Sequence, residues 1–229
     1  MRAVTCALAL LVAAPACAQV SGSVTLSSDF RYRGTSLSDG QPTAQATVAW
    51  DRADGWYGGL QVSRVRFMYP DAKAEFQAVP YVGYVRSLRH GLSAEAGVQY
   101  TGYSSSHRYD EPDVYIGLSG QELHARLSWT PRYFGQSPAW YAEMDGSRAL
   151  RSSWRAIAHV GVLRTRQYGE YVDSGNRVRV DAAAGLAVAL RGFDVRATWT
   201  TVSGRANAAC VPWQCGAGNG WVLSLSRSW

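Results

Sequence analysis

A period-two alternation that recurs from about residue 20 to the end of the chain constrains its folding more than any other feature. Along residues 193–201, Phe193, Val195, Ala197 and Trp199 stand against Asp194, Arg196, Thr198 and Thr200. Along residues 123–130, Leu123, Ala125, Leu127 and Trp129 oppose His124, Arg126, Ser128 and Thr130. Residues 92–101 and 178–190 repeat the pattern, with Leu92, Ala94, Ala96, Val98 and Tyr100 in one case and Val178, Val180, Ala182, Leu186, Val188 and Leu190 in the other. A strand sends successive side chains to opposite faces, so each stretch carries one apolar and one hydrophilic face. None repeats at the helical period of 3.6.

The connections alternate as well. Short ones fall at 51–55, 87–91, 119–122 and at Arg191-Gly192, with 145–153 longer. Longer, polar ones fall at 34–42, 68–75, 103–111, 165–176 and 203–219. Short turns at one end and long loops at the other, joining about 12 segments of about ten residues, are the signature of a transmembrane antiparallel up-and-down β-barrel. A secreted β-sandwich also alternates. It would hide its apolar faces in one core, however, and would not gather aromatics at strand ends. Here Phe30, Tyr32, Trp50, Trp56, Tyr100, Trp129, Trp140, Trp154, Trp199, Trp221 and Trp229 sit there, as an interfacial girdle would. Twelve strands about 4.8 Å apart and tilted about 40° give a backbone diameter of roughly 24 Å, narrowed by side chains to about 10 Å.

Both chain ends bear on location. Met1-Arg2 opens a positive start, residues 3–14 are an apolar run, and Ala16-Cys17-Ala18 offers a small-x-small cleavage pattern. The run is too short to span a bilayer as a helix, which takes about 20 apolar residues. Residues 1–18 therefore read as a cleaved signal peptide, with the barrel domain at 19–229. Cys17 raises a rival reading, an acylated lipoprotein cysteine, against which Ala14 stands where a bulky leucine is usual. At the other end, Trp221, Leu223, Leu225 and Trp229 share one parity and Ser224, Ser226 and Ser228 the other, with Arg227 breaking the apolar face. This ending resembles that of bacterial outer-membrane barrels. The resemblance implies a closing strand, a signal read by the barrel-assembly machinery and a wall set in outer-membrane lipid.

Charge and cysteines add exclusions. The formal charge is +6, and losing Arg2 leaves 6 − 1 = +5, too modest to argue for nucleic acid. Cys6 and Cys17 leave with the signal, and Cys210 and Cys215 remain as a close pair in C-V-P-W-Q-C. In an oxidising compartment such a pair is expected to form a disulfide. A metal site would need further ligands, and neither His nor Cys lies nearby.

Within residues 26–67, the runs S-S-D-F-R-Y-R-G-T-S, D-G-Q-P, G-W-Y-G-G and S-R-V-R-F keep their spacing across two strands and a loop. They resemble the opening of the TorF-type porin family of proteobacteria; beyond residue 70 the likeness thins to strand rhythm and the aromatic end. The resemblance implies an outer-membrane barrel that can act as a channel, and it supplies no catalytic residues.

Asp29, Arg31 and Arg33 share a parity opposite Phe30 and Tyr32, which points them into the lumen near the outer end of the first strand. Two readings stand side by side: an arginine constriction that selects anionic solutes, and a salt-bridge lattice that satisfies buried charge. The inferred inward set adds Arg126, Arg155, Arg179 and Arg196 against Glu95, Asp113, Glu122, Glu143, Asp181 and Asp194, nearly in balance. An enzyme is not expected. His124 and Ser128, four apart on one strand, are separated by about 13 Å, too far for a proton relay. No nucleophile elbow, phosphate loop, calcium loop or metal-ligand spacing is present, so no cofactor is expected. The expected function is passage of small solutes or ions. A plugged structural or surface-interaction barrel is the alternative, and oligomeric state is left open.

Overall fold

The computed structural model describes residues 19–66, 73–165, 178–203 and 219–229. The strands are β1 (Gln19–Ser27), β2 (Arg31–Tyr32), β3 (Thr35–Ser36), β4 (Thr43–Asp51), β5 (Trp56–Val65), β6 (Glu75–Ser87), β7 (Ser93–Tyr103), β8 (Glu111–Ser119), β9 (Leu123–Tyr133), β10 (Ser137–Arg151), β11 (Trp154–Thr165), β12 (Val178–Leu190), β13 (Phe193–Val202) and β14 (Gly220–Ser228). Twelve of them, β1 and β4 to β14, form a closed barrel in which each strand pairs antiparallel with its neighbour in sequence. Closure comes from β1 against β14, in register from Ser23↔Ser228 to Ser27↔Ser224. Trp229 extends that seam. Its N–H donates to the carbonyl of Gly22 at 3.0 Å and its carbonyl accepts from the Gly22 N–H at 3.1 Å. Its indole lies where a Cβ on residue 22 would stand, 2.7 Å from the ring.

The apolar parity of every wall strand faces outward: Val20, Val48, Leu60, Val98, Ile116, Leu127, Leu186 and Leu223 are all exposed. A soluble protein would bury these groups; here the bilayer is their solvent. Aromatics form two rings on the outer surface. At the end with the short turns stand Trp50, Trp56, Tyr84, Trp154, Phe193 and Trp229; toward the loops stand Phe76, Tyr100, Trp129, Trp140, Trp199 and Trp221. Trp56–Tyr84, Trp129–Trp140 and Trp199–Trp221 make edge or tilted ring pairs at 5.5, 6.3 and 5.7 Å.

Three expectations change. The long turn at 145–153 does not exist, because β10 runs to Arg151 and only Ser152 and Ser153 separate it from β11. A tight turn at 134–136, unmarked by sequence pattern, joins β9 to β10; Phe134 and Gly135 take φ of 47° and 73° there. Phe30 and Tyr32 belong to no outer girdle. Residues 28–42 leave the wall and turn inward, so both rings pack inside the barrel.

Candidate functional site: a lumen crossed by an inward hairpin

The β1–β4 connection forms a small hairpin with Arg31↔Ser36 and Tyr32↔Thr35 as its rungs. At its tip Arg33 and Gly34 take φ of 48° and 77°, the paired positive values of a type I′ turn. Asp29 organises the base. One carboxylate oxygen accepts from the hydroxyls of Ser36 and Ser38, and the other accepts from Arg31 Nε at 2.7 Å. Backbone bonds from the Leu37 N–H to the Phe30 carbonyl and from the Arg66 N–H to the Leu37 carbonyl, both 2.7 Å, tie the returning arm to the wall.

The tip reaches the opposite side of the barrel. Arg33 Nη2 donates to Asp113 of β8 at 2.9 Å, and Nη1 lies 3.6 Å from Glu111, with both carboxylates fully enclosed. Tyr32 donates its hydroxyl to Glu111 at 2.7 Å, and the Phe134 N–H donates to the other Glu111 oxygen at 2.8 Å. Arg179 of β12 donates to the Arg33 carbonyl at 2.8 Å. The Arg33 guanidinium also lies 4.8, 5.6 and 5.2 Å from the ring centres of Tyr32, Tyr133 and Tyr141. A Cβ at Gly34 would come within 2.6 Å of the Asp181 Cβ, so only glycine seats the tip this closely.

One flank of the hairpin is sealed by an apolar cluster of Leu37, Val65, Tyr103, Tyr109 and Phe134, with Phe30, Tyr32 and Tyr133 against it. Full burial of a side chain such as Leu37 contributes about 1.5–3 kcal/mol. The other flank stays open. A cavity of about 400 Å³ runs beneath and beside the hairpin, lined by Arg31, Gly34, Arg126, Glu143 and Thr200 among others. A vestibule of about 660 Å³ at the turn end is lined by Glu122, His124, Arg155, Arg196, Thr198 and Ser224. Asp145, His159 and Ala183 line both, so the two spaces meet there.

Charge in the lumen is largely paired. Glu95 accepts from Tyr57 at 2.6 Å, from His124 at 3.2 Å and from Arg126 at 2.8 and 3.1 Å. Arg155 and Arg196 share Asp194, each with a contact of 2.8 Å. His159 lies between two carboxylates, Nδ1 at 2.8 Å from Asp145 and Nε2 at 3.1 Å from Asp181, with the Tyr141 hydroxyl also 3.1 Å from Nε2. Glu143, Asp145 and His159 bring ligand-type atoms within 4.8 Å of one another, yet both ring nitrogens are already engaged by protein oxygens. Tyrosines lie flat on glycines of neighbouring strands: Tyr115 covers Gly97 and Tyr141 covers Gly161, each hydroxyl within 2.4 Å of where a Cβ would stand.

Arg126 and Arg196 thus face the lumen from β9 and β13, as their parity predicts, and so do Arg155, Arg179, Glu95, Asp113, Glu143, Asp181 and Asp194; Glu122 stands in a turn at the vestibule. Asp29, Arg31 and Arg33 lie inside the barrel on the hairpin rather than on the first wall strand, which ends at Ser27. Trp221, Leu223, Leu225 and Trp229 face outward along the closing seam. Cys210 and Cys215 lie outside the described residues, as does the segment 1–18. The sequence reading missed Glu111 as the hairpin's seat and His159 as the bridge between carboxylates. The available signal was Leu37, a large apolar group in the supposed exterior loop 34–42 that has to be buried somewhere.

Among solved structures, the fold is similar to one described as KdgM porin, at 10% identity and a TM-score of 0.55, covering 91% of this chain and 99% of that one. It is also similar to one described as NanC porin, at 10% identity and a TM-score of 0.55, covering 91% of this chain and 98% of the other. At such identities the likeness extends to the barrel fold alone. No curated protein matches in sequence. A family model described as "Bacterial protein of unknown function (Gcw_chp)" matches residues 12–228, nearly the whole chain, and the protein belongs to that family.

Proposed function

We propose that the protein is an outer-membrane channel for passive passage of small hydrophilic solutes and ions, with the 28–42 hairpin as its constriction. The observation that carries this reading is the pair of polar cavities, about 660 and 400 Å³, that meet at Asp145, His159 and Ala183 inside a closed wall. A lumen serving only to hold the wall together would gain by filling that volume with side chains. The porin-like fold and the resemblance of residues 26–67 to TorF-type porins support the same reading, as does the signal-like segment 1–18 for its location. Small solutes are the partners, and no residue is assigned a catalytic role.

Selectivity in this reading rests on Arg31. Both arginines line the open cavity, but the Arg33 guanidinium is held between Glu111 and Asp113, whereas Arg31 is paired with Asp29 alone and keeps a buried Nη1 without a hydrogen-bond partner among the described residues. Refolded protein in a planar bilayer should conduct, and Arg31→Gln should move the reversal potential toward cations in a salt gradient. An unchanged reversal potential removes Arg31 from the selectivity argument. The hairpin that crosses the lumen favours a second reading, a plugged barrel that presents its loops to a partner. Absence of conductance in correctly folded wild type would put that reading in place of the first.

A further inference from the structure

We infer that the turn end of the barrel carries a binding belt for anionic lipid headgroups, built from Arg86, Arg148, Arg151 and Arg227. All four are exposed and face outward. Arg86 follows Val82 and Tyr84 on the outer parity of β6, and Arg148 pairs with Ala156 on the outer face of β11. Arg151 pairs with Trp154 after the β-bulge in β10. Arg227 lies over the Phe193 ring at 5.4 Å, between Leu225 and Trp229 in sequence, which accounts for the cation that interrupts the apolar face of β14. Each arginine therefore stands within the aromatic ring that marks this edge of the apolar wall, with its stem on apolar surface and its guanidinium at headgroup depth.

The carboxylates at this end face elsewhere. Asp54 is bonded to Arg52 at 2.8 and 3.1 Å, and those bonds hold its carboxyl below the usual carboxylate range. Glu122 lines the vestibule, and Asp51 pairs with Tyr57 on the inward parity. Among the described residues, none of the four arginines takes part in a salt bridge, so their guanidinium groups are free to meet an anion from the lipid side. A planar, five-donor guanidinium at a lipid–water boundary matches the phosphate of an anionic lipid. The occupant is a phosphatidylglycerol-type headgroup in the leaflet at the turn end.

The test measures association of spin-labelled phosphatidylglycerol against spin-labelled phosphatidylcholine with protein refolded in phosphatidylcholine vesicles. Contacts beside each arginine should favour the anionic lipid about fivefold, which averages to about twofold over the whole lipid shell. The preference should fall toward one in 0.5 M salt and in the triple variant R86Q/R148Q/R227Q, whose barrel is checked by heat-dependent gel migration. The loop-end control R64Q/R164Q, also outward-facing, should keep it. Arg227→Gln alone should lower it part-way and covers the case in which the triple variant folds poorly. Equal association of both lipids with wild type, retention of the preference in the triple variant, or its loss only in the loop-end control would each overturn the proposal.

Discussion

Arg33→Gln gives the sharpest test of how the hairpin is held. The change removes the guanidinium from two carboxylates, Glu111 and Asp113, whose side chains have 0% exposure, while the Arg33 side chain has only 5%. Taking one partner from a buried pair costs about 3–5 kcal/mol, because the remaining charge cannot reach water. Here the cost falls on docking of the hairpin rather than on the wall, whose ladders do not involve residue 33. A loss of about 3 kcal/mol shifts the docked-to-undocked ratio by a factor of about 150. Two readouts follow. Single-channel conductance should rise or begin to flicker, and a cysteine placed at Ser36, now 3% exposed, should become reactive to a soluble maleimide. The variant R33Q/E111Q/D113N should recover much of the docking, since removing both signs of a buried pair together is far less costly than removing one. Glu111→Gln keeps a carbonyl oxygen to accept from the Phe134 N–H, and its NH2 can donate to the Tyr32 hydroxyl, which then accepts instead of donating. If Arg33→Gln leaves conductance and Ser36→Cys labelling unchanged in a folded barrel, the ion-pair latch is wrong.

Two further outcomes are expected. Deleting Trp229 removes two backbone hydrogen bonds and the indole from Gly22, so barrel assembly should slow and protease-sensitive protein should accumulate, measured by pulse-chase with heat-modifiability on gels; unchanged assembly kinetics would count against the closing role. Gly97→Val puts a branched side chain where the Tyr115 hydroxyl now lies, and Tyr115 is 4% exposed, so a stability loss of about 1–3 kcal/mol is expected by denaturant titration in detergent. No loss there would mean that the ring moves freely into the lumen.

Most of the wall was legible because the two solvents of a barrel, lipid outside and water inside, impose opposite chemistries on alternate residues. Trp199 against Thr198 or Leu127 against Arg126 cannot exchange places without cost, so parity reads directly as orientation. The hairpin was not legible in the same way. Asp29, Arg31 and Arg33 do alternate with Phe30 and Tyr32, but both faces of the hairpin lie inside the barrel, and the apolar face meets Leu37 and Phe134 rather than lipid. Alternation shows that a segment has two faces, not what touches them. The seat was hidden for another reason: Glu111 and Asp113 lie about 80 residues from Tyr32 and Arg33, and no local pattern encodes that meeting. The tight turns were half visible. Arg191-Gly192 shows its glycine between two clean strands, whereas Phe134-Gly135 is masked by Pro131 and Pro138 and by the bulge at the end of β9.

Because the hairpin is rooted between β1 and β4 and seated on β8, β10 and β12, it also acts as a strut across the cylinder. A ring of strands resists stretching along its hydrogen bonds but flattens easily, and a brace fixed at opposite points holds the cross-section round. The strut can be set only when its far footings exist. Arg179 meets the Arg33 carbonyl across 146 positions of sequence, so roundness is conferred at the end of folding, although the segment that confers it follows the first strand. Lateral pressure from a stiffer bilayer should therefore squeeze a barrel lacking its Arg33 latch more than the native one.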